Sequence, residues 1–246
     1  MANPRVRLLC FPHAGGSSLA FKDWPGGLPD DVELCAVELP GRGRRLLEPP
    51  LADMDQILEA LTEAFYRHNG TPVALFGHSF GALMAFECAR RLAAVNNHPV
   101  HLFVSGHFAP HLPNPEAPIR HLPDPEFIAE VRRRYEGLPE EILRDDEMIE
   151  LLLPALRADF SMKETYRYID GPLLECPISA FGGEQDGSVT TGELTAWSGQ
   201  TSGAFKCTMF PGGHFFIDSA RESFLREVVG DFERSLSEVF SMKRFA

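Results

Sequence analysis

No apolar stretch in this chain reaches the ~20 residues that a bilayer-spanning helix requires. The opening MANPRVRLLCFPHAGG has no apolar core of a secretory leader, and its Val6–Phe11 stretch reads as a first strand instead. Cysteine is sparse: Cys10, Cys35, Cys88, Cys176 and Cys207 are scattered, odd in number and form no C-x-x-C pair. That pattern excludes a disulfide or zinc framework and predicts small core residues of a reduced, cytoplasmic protein. Basic residues are also short, 23 Lys and Arg against 35 Asp and Glu, for a net charge of −12. Nucleic acid requires positive potential, so it is excluded as a partner, and an acidic protein partner would need a local basic patch. Neither G-x-G-x-x-G nor a Walker lysine is present, which argues against a phosphate-cradling loop. There is no internal repeat or low-complexity segment.

What is present has the composition of an ordinary globular protein, 44% hydrophobic and 24% charged over 246 residues, enough for one large α/β domain spanning 1–246. Short β-like runs (Val6–Phe11, Val32–Leu39, Val73–Phe76, Val100–Ser105, Ile178–Phe181 and Lys206–Phe210) alternate with helical patterns. Several are apolar on both faces, as strands of a mostly parallel sheet covered by helices on two sides must be. Asp53 with Gln56 predicts a capping box opening a helix on Met54, Ile57, Leu58, Leu61 and Phe65. A second helix runs to about Ala94, and a third places Phe224, Leu225, Val228, Phe232, Leu236 and Val239 at helical spacing. Residues 110–171 break the alternation. A proline-rich stretch leads into a helix capped by Asp124 with Pro125 at its first position, then into a pattern from Met148 to Phe160. This segment is too apolar for a solvated linker and is expected to be a helical lid inserted between two core strands; helices packed beside the sheet are the alternative.

The chemistry centres on Pro72–Ala82, where an apolar strand runs through Gly77–His78–Ser79–Phe80–Gly81 straight into a helix. Strand, sharp turn and helix give G-x-S-x-G its meaning as a nucleophile elbow, with Ser79 exposed above the sheet of an α/β-hydrolase fold. A serine needs a general base, and the base needs an orienting acid, in the chain order Ser, acid, His. Asp186 follows a strand and a Gly-Gly turn, and His214 follows another. Glu184 and Asp170 compete with Asp186 for the acid. His78 is expected to be a buried packing or hydrogen-bonding residue, not the base. The oxyanion donors are expected to be the backbone N–H of Phe80 and that of Ala14, in the glycine-rich turn Phe11–Gly16.

Together FPHAGG, ELPGRGRR, LFGHSFGA, LFVSGHFAP, AFGGEQD and FPGGHFF resemble, in order and over nearly the whole chain, the motifs of type II thioesterases of polyketide and nonribosomal peptide biosynthesis. The resemblance implies hydrolysis of acyl groups from the phosphopantetheine arm of acyl- or peptidyl-carrier proteins, clearing stalled synthases. It implies Ser79, Asp186 and His214 as the triad, the Ala14 and Phe80 amides as the oxyanion hole, and no metal or redox cofactor. Two positions depart from the pattern. Phe80 stands where many relatives have Met or Leu and is expected to reshape the acyl pocket, and Gly106–Pro110 lacks the arginine often found there.

Carrier proteins are usually acidic, so docking is expected at Arg42, Arg44 and Arg45 of the PGRGRR loop, with Arg132–Arg134 read as a solvated face. A monomer without membrane association is expected. The competing readings are a medium-chain fatty-acyl thioesterase, a carboxylesterase, or a catalytically inactive hydrolase-fold binding protein. The last would be marked by loss of a triad member.

Overall fold

The computed structural model describes residues 4–66, 71–135 and 146–242. Six strands form one sheet in the order β2-β1-β3-β4-β5-β6, every neighbouring pair parallel. They are β1 (Val6–Phe11), β2 (Val32–Ala36), β3 (Val73–His78), β4 (His101–Ser105), β5 (Ile178–Gly183) and β6 (Phe205–Phe210). The helices are α1 (Met54–Tyr66), α2 (Phe80–Ala94), α3 (Asp124–Tyr135), α4 (Asp146–Thr165), α5 (Thr191–Thr195), α6 (Phe216–Ser219) and α7 (Arg221–Met242).

Side chains alternate across a strand, and the two faces of the sheet belong to different apolar clusters. Leu9, Phe11, Leu75, Leu102, Val104 and Ile178 pack with Ile57 and Leu58 of α1 and with α2. Leu8, Cys10, Ala74, Phe76, Phe103 and Phe181 pack with Phe224, Val228, Phe232 and Leu236 of α7. Burying each Val, Leu, Ile or Phe side chain among these contributes about 1.5–3 kcal/mol, which is why β1 and β3 to β5 are mostly apolar. The side chain of Val239 lies outside the described residues.

Several boundaries differ from the sequence expectation. Strand β2 stops at Ala36, before Pro40, at the end of its register with β1, where Ala36 pairs with Cys10. Strand β3 runs on to His78, whose register partner is Ser105. The Asp53 carboxylate does accept the Gln56 N–H, at 3.1 Å. Asp124 is not a cap: it is the first residue of α3, and its carboxylate takes the Arg157 guanidinium of α4 at 2.8 Å. Helices α3 and α4 lie between β4 and β5 in the chain and share a third cluster of Ile119, Phe127, Val131, Tyr135, Leu156 and Phe160, which also touches Ala14.

The chain turns one way from β1 to β2 and the other way from β3 onward, so β1 and β3 are neighbours at a switch point. In open α/β sheets the crevice beyond the strands' carboxyl ends at such a point is where ligands bind. Phe11 pairs with Gly77 across it, which places FPHAGG beside the G-x-S-x-G turn.

Candidate active site

Ser79 has φ 54° and ψ −123°, a conformation that only a surrounding structure can impose on a non-glycine residue. The cause is steric crowding of β1, β3 and α2. A Cβ on Gly77 would stand 2.0 Å from Gly81 O, and one on Gly81 would stand 2.2 Å from Phe11 O. The Ser79 N–H donates to Ser105 O at 2.7 Å, anchoring the turn to β4. His78 is fully buried, hydrogen-bonded through Nδ1 to Ser105 Oγ at 2.9 Å, as expected of a structural neighbour.

The loops after β5 and β6 pack on each other through glycine. A Cβ on Gly183 would meet Gly213 O at 2.2 Å. The Glu184 N–H donates to Phe210 O and the Gln185 N–H to Gly212 O. These bonds bring the Asp186 carboxylate to 2.8 Å from His214 Nδ1. Glu184 is exposed, and Asp170 holds the Tyr168 hydroxyl and the Gly171 N–H instead. Among the three carboxylates, geometry selects Asp186. Ser188, which the sequence reading did not single out, donates to Asp186 Oδ1 from both N–H and Oγ and lies 3.1 Å from His214 Nδ1. Burial raises the Asp186 carboxyl, but the hydrogen bonds and charge of His214 and the bonds from Ser188 outweigh it and hold the group below its ordinary range.

Ser79, His214 and Ala14 line one cavity of about 30 Å³, closed by His13, Phe215 and, from α3 and α4, Val131, Tyr135, Leu156, Phe160 and Lys163. That volume admits a water or two. The Ala14 and Phe80 amides donate to no protein group among the described residues, and Ala14 lines the cavity. The Gly15 N–H is turned instead to the buried Asp159 of α4, at 2.7 Å. The expectation for the Phe80 side chain is corrected. It is buried in the core with Phe11 and Phe86 and does not line the cavity, because the helix that starts at the elbow points it into the sheet interface.

Three further imidazoles crowd this site. His78 and His107 are buried and His13 is half-buried, and desolvation first, then neighbouring cationic groups, pushes all three down, His13 to about 4 and His107 to about 3. They therefore stay neutral beside His214 at pH 7 and do not compete with it for a proton. The Lys163 ammonium bonds the Tyr135 hydroxyl at 2.6 Å and faces Glu116 at 3.6 Å; burial lowers its pKa, and Glu116 opposes that shift. Among the described residues no group of three or more His, Cys, Asp or Glu side chains is placed to hold a metal ion.

The arginine expectation divides. Arg42 is 1% exposed and grips Asp159 through both terminal nitrogens, so it is corrected: a buried guanidinium offers nothing to a partner. Arg45 is exposed but paired with Glu48, and Arg44 is exposed with no side-chain partner among the described residues. Arg133 and Arg134 pair with Glu130 on their own helix.

Comparison with known proteins agrees with this geometry. The family model of the thioesterase domain matches residues 6–236. The gramicidin S biosynthesis protein GrsT of Aneurinibacillus migulanus is 45% identical over 214 residues, 87% of this chain and 83% of that protein. The thioesterase PikA5 of Streptomyces venezuelae is 40% identical over 220 residues, 88% of this chain and 77% of its own length. Among solved structures, RedJ, a thioesterase from the prodiginine biosynthetic pathway in Streptomyces coelicolor, superposes with a TM-score of 0.86 at 39% identity, covering 94% of this chain and 87% of that one.

Proposed function

The chain belongs to the thioesterase family, and on that premise we propose that it is an editing enzyme that hydrolyses acyl groups from the phosphopantetheine arm of carrier proteins serving a polyketide or nonribosomal peptide synthase. The single observation that carries the chemical reading is the 2.8 Å contact of Asp186 with His214, on a residue sharing its cavity with the strained Ser79.

His214 takes the Ser79 proton as Oγ attacks the thioester carbonyl, and Asp186 holds the imidazole in the required tautomer and supports its positive charge. The carbonyl oxygen becomes an oxyanion between the Ala14 and Phe80 amides, each such donor being worth ~2.7–4 kcal/mol. Collapse breaks the C–S bond, and His214 returns its proton to the departing pantetheine sulfur. Water then gives a proton to His214 and adds to the acyl-serine; collapse breaks the bond from the carbonyl carbon to Ser79 Oγ, His214 returns the proton to that oxygen, and the free acid leaves. Helices α3 and α4 act as a cap over this chemistry, and their apolar side chains in the cavity wall support that role.

The partner is an acyl- or peptidyl-carrier protein. At −12 this chain repels an acidic carrier overall, so docking falls to a local basic surface. Exposed Arg44, with Arg45 and the fully exposed Leu47 beside it, is the patch we assign to it. No helix among the described residues is long and apolar enough to cross a membrane. The five free cysteines support a reducing, cytoplasmic setting.

The test is acid release from acetyl-carrier, longer acyl-carriers and p-nitrophenyl esters. Faster turnover of carrier thioesters than of esters, abolished by Ser79→Ala, is the expected result. Equal release by Ser79→Ala, or none from any thioester, would overturn the reading.

A further inference from the structure

We propose that the buried Arg42–Asp159 pair is a positioning device that clamps the turn carrying the Ala14 oxyanion donor to helix α4, so that the donor is aimed only while α4 covers Ser79. This rests on the assignment of Ala14 above.

Asp159 is fully buried, and each of its oxygens is used. Oδ2 accepts the Gly15 N–H at 2.7 Å and Arg42 Nη1 at 2.5 Å, and Oδ1 accepts Arg42 Nη2 at 2.9 Å. The same Nη1 lies 3.4 Å from Gly16 O, so the guanidinium and the carboxylate hold the turn from both sides. The peptide fixed by Asp159 is the one that follows Ala14. Ala14 itself lines the cavity, and its N–H donates to no protein group among the described residues. Gly15 takes φ +73°, and a Cβ there would stand 2.8 Å from Leu156 Cδ1, so the turn lies directly under α4. Asp159 sits between Leu156 and Phe160 in sequence, and both of those line the cavity beside Ser79. One helix therefore supplies the cavity wall and the anchor of the oxyanion turn.

Stability gives no account of the pair, because a buried ion pair is commonly no better than an apolar replacement of similar volume. This separates positioning from folding. In Arg42→Met/Asp159→Leu both charges leave together, no charge is stranded, and the Gly15 N–H loses its acceptor. The expected result is a kcat lowered about 10²-fold with KM within about threefold, because the lost interaction is realised only in the transition state. Affinity for a short alkyl trifluoromethyl ketone, which forms an oxyanion on Ser79, falls by the same factor as kcat/KM. Arg42→Gln/Asp159→Asn keeps an acceptor for Gly15 and restores kcat to within about tenfold of the wild type. In the wild-type protein the same ketone slows hydrogen exchange at the Gly15 amide together with that of Phe80, a readout that needs no variant to fold. Wild-type kcat and ketone affinity in the Met/Leu protein, or protection at Phe80 with none at Gly15, overturns the proposal. An active Ser79→Ala would instead overturn the serine reading beneath it.

Discussion

The Asp186 carboxylate lies 2.8 Å from His214 Nδ1 and is itself held by Ser188, whose N–H and Oγ both donate to its other oxygen. The carboxylate that holds the His214 imidazole is thus held in turn. Asp186→Asn keeps the shape but presents the wrong hydrogen-bonding tautomer, and kcat for a carrier thioester should fall by about 10⁴-fold. Ser188→Ala removes support without removing the acid and should cost less than about tenfold, with KM unchanged. Steady-state thiol release from both variants checks the ranking.

Gly106 lies under the His214 imidazole. It has φ +61°, and a Cβ there would approach His78 Cε1 to 2.9 Å and His214 Cε1 to 3.3 Å. Gly106→Ala should therefore lose about 1–2 kcal/mol of stability from the left-handed backbone alone. It should also lower kcat as His214 is pushed aside. Denaturant unfolding and kcat on one small thioester measure the two effects separately.

Phe160 of α4 is buried in the third cluster and closes the cavity beside Ser79. With about 30 Å³ available, a longer acyl chain has to displace side chains of α3 or α4. Phe160→Ala should shift the chain-length optimum upward, at a stability cost of about 3 kcal/mol. A kcat/KM series from acetyl to decanoyl thioesters would show no shift if the chain lies elsewhere.

Charge reversal on the docking patch should act on the partner alone. Arg44→Glu is expected to raise KM for acyl-carrier substrates about tenfold and to weaken the salt dependence of association, because exposed charges steer encounter. Hydrolysis of an N-acetylcysteamine thioester, which has no carrier to dock, should be unchanged. Equal KM values for the carrier substrate would remove Arg44 from the interface.

His101 is buried between Ser235 Oγ at 2.7 Å and Ser179 Oγ at 2.9 Å, stacked on Phe103, and burial pushes it from 6.5 to about 3. The folded state therefore binds its proton later than the unfolded chain. Its contribution to stability is complete above pH 6.5 and is lost as the pH falls toward 3, at about 1 kcal/mol per pH unit. His101→Gln should flatten the fall in unfolding free energy between pH 6.5 and 4 by about one such slope. His13 and His107, pushed down in the same way, leave a residual slope in the variant.

Much of this architecture is written locally. Double-sided apolar runs mark the covered strands, because a strand buried on both faces needs no polar alternation. Gly77 and Gly81 mark the elbow, because no side chain fits where β3, α2 and β1 touch. The strand-turn segments that carry Ser79, an acid and His214 are equally legible, since each spans only a few residues. Where a choice depended on distant packing, sequence left it open. Asp186 and Glu184 are two residues apart, and only the glycine-to-glycine stacking of two loops turns one toward His214 and the other to solvent. Phe80 reads as a pocket residue because it departs from the family pattern beside the serine, yet the helix direction buries it in the core. Arg42 reads as one of three exposed loop arginines, yet it meets Asp159 from 117 residues away. Short-range spacing is fixed by bond geometry and is therefore visible in a sequence. The burial of a charge depends on a partner brought by the fold, and only the tertiary structure supplies it.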